Sequence, residues 1–437
     1  MKRIIFLFIA LLSAFIFFTC DAISEGDWDG FGEKGGDGYE RYPSAPDFDG
    51  ASSVPGGENG GNYKKPSAGQ LSCGEWSDIK NYDYYLNLFT INDVSEKPDS
   101  EESDSEEPVI DEKQRRNGFY EFIEYFGFET RYMVTVNVKC GGISVSDAAV
   151  ELYDPNQVLL FSAKTDARGN AFLFPYYDLT DENIKIKVTS GSNEISQSFM
   201  YKNQVLQITL SGRTDPKLIL DLMFVIDTTG SMGDELRYLK TEIADVIKKV
   251  TSNNPGYTIN LALLFYRDID DEYVTRYFDF TTNITVQQQN LSKQSANGGG
   301  DFPEASDRAL WEAVNKKWND GYAKRLIFHV CDAPPHDKQE NQTLYFNSIK
   351  TAAKKGIRII PVASSGIDRA TEYLLRQEAI MTGGTYIFLT NDSGIGEDHL
   401  QPTIGEFTVE YLNACMVRVV SEYLTGTEIK PVPYYAE

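Results

Sequence analysis

Three short segments carry oxygen-bearing side chains at positions where they could hold a metal ion. In DLMFVIDTTGSM an apolar run ends at Asp227 and is followed by the hydroxyls of Thr229 and Ser231. Asp301 follows three glycines in GGGDFPEA, and Asp332 ends the apolar run of FHVCDAPPH. Carboxylate and hydroxyl oxygens suit a hard divalent cation, with Mg²⁺ favoured and Mn²⁺ or Ca²⁺ as alternatives, rather than zinc.

The hydrophobic pattern from residue 217 onward predicts how these segments are held. Continuous apolar runs, such as KLILDLMFVID and RLIFHVC, alternate with stretches of helical period. This alternation is typical of a doubly wound α/β domain with a parallel sheet. Because ligands of such sheets bind outside the carboxyl ends of the strands, we expect the five side chains to meet at that edge.

These motifs resemble the von Willebrand factor A (VWA) domain over residues 217–425. DTTGS matches the DxTxS form of that family's metal-ion-dependent adhesion site, and GGGDFPEA, DAPPH and YRDIDDEYVT resemble a bacterial subset of the family. The resemblance implies a Rossmann-like fold in which Asp227, Thr229 and Ser231 are metal ligands from the first loop. It further implies that Asp332 is the aspartate of the third loop.

The second loop differs from the family pattern. Adhesion-type domains carry a threonine there, whereas this chain has Asp301. Asp301 is expected to bind the metal directly, to bind it through water, or to cap a helix that begins at Pro303. Three carboxylates would leave a net negative charge around one divalent cation, so we expect the site to favour a neutral oxygen ligand or to use the metal as a structural clamp.

Further residues are candidates for the edge of a ligand site. His336 follows DAPP, and Arg267 and Asp268 lie in YRDIDDEYVT. Of the other histidines, His329 lies within a predicted strand and is expected in the core. His336 and His399 are interpreted as loop residues, with a second metal site or an acid–base role as the alternative. The sequence contains no GxSxG, HExxH or Walker motif, so we do not predict an enzyme.

Residues 132–211 are predicted to form an all-β sandwich. Short alternating segments are separated there by Gly, Asn and Asp turns, which is the pattern of an antiparallel β-domain. The strand AAVELYD and the turn TDARGNAFLF resemble the carboxypeptidase-regulatory-like, transthyretin-type sandwich. The resemblance implies a spacer or stalk.

The N-terminal part has the pattern of an export signal followed by a tether. Lys2 and Arg3 precede an apolar run that ends near Cys20, as in a secretory signal. FFTC resembles a bacterial lipobox, with ordinary signal cleavage as the alternative. The predicted segments are the signal, a disordered Gly/Asp-rich tether, an aromatic linker with a disordered acidic insert, and a C-terminal tail, at 1–20, 21–70, 71–131 (insert 95–108) and 426–437. The aromatic pieces are expected to pack on the following domain, with a carbohydrate-binding platform as the alternative.

Composition narrows the classes of partner. The net charge of −24 argues against nucleic acid, because a phosphate backbone would be repelled. The four cysteines other than Cys20 are scattered and include no CxxC pair, so neither a zinc site nor a disulfide framework is indicated.

The segments follow one another as anchor, spacer and binding domain. This order predicts a lipid-anchored protein of the bacterial cell envelope that faces the periplasm or the cell surface. It would bind a protein or a surface ligand through the divalent cation. The alternatives are a scaffold of an envelope complex and, less favoured, a metal-dependent hydrolase.

Overall fold

The computed structural model describes residues 66–90 and 118–435, all of which belong to one compact unit of the chain, residues 59–437. The predicted signal with Cys20, the tether as far as residue 65 and the acidic insert at 95–108 lie outside the described residues. Within the two described ranges, no helix has both the length and the apolar character needed to cross a membrane.

The secondary structure of these ranges is as follows. The strands are β1 (Ser72–Trp76), β2 (Val134–Cys140), β3 (Ile143–Ser144), β4 (Ala149–Tyr153), β5 (Leu159–Lys164), β6 (Asn170–Leu173), β7 (Asn183–Ser190), β8 (Asn193–Met200), β9 (Leu206–Leu210), β10 (Ile219–Asp227), β11 (Thr258–Tyr266), β12 (Thr275–Thr281), β13 (Lys324–Cys331), β14 (Ile357–Ala363), β15 (Tyr386–Leu389) and β16 (Glu410–Tyr411). The helices are α1 (Tyr82–Asn87), α2 (Tyr120–Phe126), α3 (Gly233–Asn253), α4 (Ile284–Ser292), α5 (Ser306–Asn315), α6 (Gln339–Lys355), α7 (Arg369–Thr382) and α8 (Leu412–Thr425).

The largest sheet has the strand order β12–β11–β10–β13–β14–β15–β1–β16. The pairs from β11 to β15 are parallel, as the continuous apolar runs predict, because strands covered on both faces need no polar alternation. The pairs that involve β12, β1 and β16 are antiparallel. The predicted parallel sheet is therefore a mixed sheet with antiparallel strands toward both edges.

Helices cover both faces of this sheet, and β10 shows how one strand serves two cores. Met223 and Val225 belong to the core that contains apolar residues of α5, α6 and α7. Leu222, Phe224 and Ile226 belong to the opposite core, which contains apolar residues of α3 and α8. This double burial fixes the strand and therefore fixes where its last residue emerges.

β1 places part of the predicted linker inside the α/β sheet. It pairs with β15 on one side and β16 on the other, so that Cys73 lies opposite both Leu389 and Glu410. The residues just before β1 are clamped as well: the Glu242 carboxylate of α3 accepts the backbone N–H of residues 69, 70 and 71 at 2.8, 2.7 and 3.1 Å. The described start of the segment 71–131 is thus part of the α/β sheet, because its first strand pairs with strands that lie about 300 residues later in the chain.

The aromatic residues that follow β1 pack on α7, as their density predicts. Phe89, Phe119 and Phe122 contact the ring of Tyr373, with ring centroids 6.5, 5.2 and 5.5 Å apart, respectively. All four rings are buried and are therefore not available to stack on a sugar. These four residues cannot form the carbohydrate-binding platform that was the alternative interpretation of the aromatic segments.

A buried ion pair fixes the same segment. Arg376 of α7 donates to both carboxylate oxygens of Asp78, at 2.8 Å from Nε and 2.5 Å from Nη2. Its third nitrogen donates to Glu372 at 3.2 Å. Because all three side chains are buried, the pair is a strong constraint on where the segment after β1 can lie.

Residues 134–210 form two smaller sheets, as the alternating pattern predicts. One contains β3, β2, β6 and β9, and the other has the order β5–β4–β7–β8. Buried and partly exposed residues alternate along β2 and β7, and the buried ones from both sheets share one core. The specific relationship to a carboxypeptidase-regulatory-like sandwich stays a prediction.

The smaller sheets pack against the amino ends of the parallel strands. Arg325, at the start of β13, pairs with Asp147 at 2.9 Å, and Arg358 of β14 donates to the carbonyl of Lys164 at 2.7 Å. In the chain they are inserted between β1 and β10. They therefore do not separate the N-terminal segment from the α/β domain, and the predicted order of anchor, spacer and binding domain does not describe the arrangement in space.

Candidate metal site at the carboxyl edge of the sheet

The first loop holds its oxygens by hydrogen bonds within the motif. Asp227 is the last residue of β10 and is fully buried. Its Oδ1 accepts the backbone N–H and the hydroxyl of Thr229, at 2.8 and 2.7 Å. The Thr229 hydroxyl lies 3.3 Å from that of Ser231, within a 3₁₀ turn at Gly230–Met232 that leads directly into α3. The structure therefore brings the three predicted first-loop residues together.

Asp332 joins them from the neighbouring strand. β13 lies parallel to β10, with Ile226 opposite Val330, so the residues after both strands reach the same edge. Asp332 is buried, and burial together with the nearby Asp227 carboxylate raises its pKa well above the usual range, against a hydrogen bond from Ser231. Burial also raises the pKa of Asp227, to about 6. The raised pKa values of these two carboxyl groups indicate that too little positive charge lies nearby to stabilise their ionised forms.

The buried acid of the second loop is Glu304, whereas Asp301 is exposed. Asp301 is exposed, and among the described residues it forms no hydrogen bond or ion pair with the site. Glu304 is 3% exposed, and its backbone N–H donates to the Pro334 carbonyl of the third loop at 2.9 Å. Burial, followed by the carboxylates of Asp227, Asp268, Asp332 and Asp271, raises the pKa of Glu304 from 4.5 to about 10.

The conformation of Gly299 allows Glu304 to lie close to the first loop. It has a φ of +72°, and a Cβ added to it would lie 2.8 Å from Glu304 Oε1 and 3.3 Å from Thr229 Cβ. The backbone of this glycine is therefore packed between the two side chains. Asp301 and Glu304 both lie in the motif GGGDFPEA. Only the path of the loop shows that Glu304 is the one that points inward.

Three carboxylate oxygens at this edge are buried without a hydrogen-bond donor among the described residues: Asp227 Oδ2, Glu304 Oε2 and Asp332 Oδ1. Leaving such atoms unsatisfied is costly, and carboxylate oxygens of this kind are the ligands that a hard divalent cation prefers. In the described ranges, no group of three or more His, Cys, Asp or Glu side chains is arranged to hold a metal ion. A cation here would therefore depend on the hydroxyls of Thr229 and Ser231 as well.

Comparison with known proteins supports the fold of this region. Residues 221–393 match the family model described as the von Willebrand factor A domain. The chain contains a VWA domain. The match covers the first-loop motif, Glu304 and Asp332, which all lie within the VWA domain.

The individual relatives are distant. The chain is 28% identical over 137 residues to a protein that carries the name ariadne-like RING finger protein R811 in Acanthamoeba polyphaga mimivirus. It is 24% identical over 179 residues to alpha-protein kinase vwkA of Dictyostelium discoideum and 27% identical over 178 residues to hemicentin-2 of Mus musculus. These alignments cover 31%, 40% and 40% of this chain but only 13%, 28% and 3% of the relatives.

One solved structure is also similar, that of the conserved hypothetical protein BatB from Bacteroides thetaiotaomicron. It has 13% sequence identity and a TM-score of 0.35, and the alignment covers 47% of this chain and 98% of that one. The chain spans less than a third of the length of each of these three sequence relatives.

The residues predicted at the ligand edge of the VWA domain have different roles. His336 Nε2 lies 2.7 Å from Asp268 Oδ1, and both side chains are partly exposed. Arg267 is only 4% exposed; it donates to the carbonyls of Thr228 and Ser295, at 3.2 and 3.1 Å. These two contacts hold the Arg267 guanidinium between loops, so its predicted role at the ligand edge stays a prediction.

The other two histidines, His329 and His399, contact carboxylates elsewhere in the fold. His329 is fully buried between the Tyr266 hydroxyl, 3.2 Å from Nε2, and the Glu378 carboxylate, 2.9 Å from Nδ1, which confirms the predicted core position. His399 Nε2 lies 3.0 Å from Glu235 Oε1. This contact joins the loop after β15 to the first turn of α3.

Proposed function

We propose that the chain is a cell-envelope-anchored binding protein whose VWA domain captures a protein or surface ligand through a divalent cation, with Mg²⁺ favoured. The observation that carries this proposal is the set of three buried carboxylate oxygens without donors beside two hydroxyls. Asp227, Thr229, Ser231, Asp332 and Glu304 would hold the ion. The cation would supply an electrophilic position for an oxygen of the partner.

The charge of the site sets the kind of ligand that it favours. Glu304 adds a third carboxyl group to those of Asp227 and Asp332, while Asp268 and Asp271 lie close enough to raise the pKa of Glu304. A further carboxylate, supplied by a partner, would therefore meet repulsion beside the cation. We infer that the preferred partner group is a neutral oxygen, such as a hydroxyl or an amide carbonyl.

Isothermal titration of chelator-treated protein with MgCl₂ or MnCl₂ tests the metal site first. We expect Asp227→Asn, which keeps the side-chain shape, to abolish binding. Asp301→Asn is the matched control, because Asp301 is exposed, and it should bind like wild type. Equal binding by wild type and Asp227→Asn would disprove the site.

Capture from an envelope extract tests the binding function. The full chain with Mg²⁺ is expected to retain partners that are lost with EDTA and with Asp227→Asn. Retention that is the same in EDTA would rule out a cation-dependent ligand.

A separate experiment tests the membrane anchor. Incorporation of labelled fatty acid should depend on Cys20, and labelling of Cys20→Ser at the wild-type level would refute lipidation.

The His336–Asp268 pair favours a second candidate, metal-dependent hydrolysis. The pair lies in the loops that surround the site and is partly exposed, and a cation with a positioned base can activate water. A hydrolase screen with Mg²⁺ or Mn²⁺ would have to show turnover that His336→Gln removes. Absence of such turnover leaves binding as the function.

A further inference from the structure

A small cationic cavity lies between the smaller sheets and the VWA domain, at the amino ends of the parallel strands. It has a volume of about 30 Å³ and lies between residues 146–147 and 165–167 on one side and the starts of β13 and β14 on the other. This volume holds a monatomic ion or a single water.

Three cationic side chains line the cavity. Lys324, Arg325 and Arg358 reach it from the VWA domain, and Asp147 and Asp166 are the carboxylates that face them. Asp147 is shared, because it pairs with Lys164 at 3.2 Å as well as with Arg325 at 2.9 Å. The positive charges therefore outnumber the negative ones around this cavity.

Arg325 leaves part of its guanidinium unused. It is 3% exposed; its Nε donates to the Asn319 carbonyl at 2.5 Å, and Nη1 donates to Asp147. Its Nη2 is buried and finds no acceptor among the described residues. A buried guanidinium nitrogen without an acceptor is costly, and an anion in the adjoining cavity would supply that acceptor.

Lys324 and Arg358 complete the surroundings. The Lys324 ammonium donates to the Ser146 hydroxyl at 2.6 Å, and Arg358 donates to backbone carbonyls of Lys164 and Thr382. Burial and the Arg358 charge lower the pKa of Lys324 to about 8. The unused Arg325 nitrogen and the proximity of Arg358 to Lys324 together indicate room for a negative charge in this cavity.

We propose that this cavity is a binding site for a small inorganic anion, with chloride as the occupant that its size selects. The anion would accept from Arg325 Nη2 and balance the charges of Lys324 and Arg358. It would thereby hold the smaller sheets against β13 and β14. The site is independent of the proposed metal site, which lies at the other end of the same strands.

A crystal of the full chain grown or soaked with sodium bromide tests the position directly. We expect an anomalous peak for bromide in the cavity beside Arg325 and Lys324. The same soak of Lys324→Met should lose that peak. A wild-type crystal without a peak at this position would overturn the proposal.

Unfolding in urea tests the energetics. At fixed ionic strength and neutral pH, replacing sodium gluconate with sodium chloride should raise the unfolding midpoint in a saturable way, since a ligand of the folded state stabilises it. Lys324→Met should lose the chloride-dependent rise, whereas Lys248→Met, at an exposed position of α3, should keep it. Equal midpoints for wild type in the two salts, or a rise that Lys324→Met retains, would contradict a chloride site.

Discussion

Glu304→Gln should have opposite effects on the metal-free protein and on metal binding. In the folded protein the pKa of Glu304 is about 10, whereas its ordinary value is 4.5. At pH 7 the carboxyl group is therefore ionised in the unfolded chain and protonated in the folded one. Glutamine removes this difference while it keeps the shape of the side chain.

The magnitude follows from the pKa shift. At pH 7, about 2.5 pH units above the ordinary pKa of 4.5, ionisation of Glu304 stabilises the unfolded chain. At about 1.36 kcal/mol per pH unit, this stabilisation is about 3 kcal/mol at most. Solvent screening at the edge of the sheet reduces this to about 1–2 kcal/mol. Chelator-treated Glu304→Gln should be more stable than wild type by that amount.

The pH dependence has a defined sign. Because the folded pKa of Glu304 lies above the unfolded one, the folded state binds more protons between about 4.5 and 10. The stability of chelated wild type should therefore fall as pH rises through this window, and Glu304→Gln should flatten the slope. Metal affinity should rise with pH in wild type, because the cation displaces that proton, and should be lower in the variant.

Urea unfolding in EDTA and titration calorimetry with MgCl₂, both from pH 5 to 9, measure these two effects. Asp301→Asn serves as the control and should change neither. A chelated Glu304→Gln that is less stable than wild type, or one that binds Mg²⁺ with wild-type affinity, would refute the assignment of Glu304 to the site.

Three further changes probe other parts of the molecule. Gly299→Ala should destabilise the protein by about 1–2 kcal/mol, because its φ is +72° and the new Cβ would meet Glu304; urea unfolding measures this, and a neutral effect would contradict the packing. Burial lowers the pKa of Lys324 from 10.5 to about 8, so in gluconate wild-type stability should rise from about pH 8 to 10.5, and Lys324→Met should abolish that rise. Arg376→Met should cost about 3–5 kcal/mol, because Asp78 is left buried without its partner; protease cleavage within residues 66–90 should become faster, and unchanged cleavage would argue against the role of the pair.

Sequence reasoning found the parts of the site that depend on single strands. An acidic residue that ends a continuous apolar run lies at the edge of a sheet. This pattern predicted the positions of Asp227 and Asp332. It did not single out Glu304 in the second loop, because the position of Glu304 depends on a backbone contact with Pro334 and on the conformation of Gly299. Neither contact is visible in local spacing.

The prediction of the fold was limited in the same way, by contacts between residues that lie far apart in the sequence. Helix and strand periods identified the parallel core, but β1 is a five-residue strand whose two partners lie more than 300 residues away. The burial of Arg267 is hidden for a related reason. Charge and position in a loop predict exposure, whereas its acceptors are carbonyls brought together only by folding.

The place of β1 determines where mechanical tension on the N-terminal segment would be felt. A pull transmitted to residue 66 reaches the three N–H groups held by Glu242 and then β1 itself. Glu242 lies on α3, whose first turn directly follows Ser231. The load would thus enter the VWA domain through the helix that begins after the metal loop and through the two strands that flank β1, before it reached the smaller sheets along the chain.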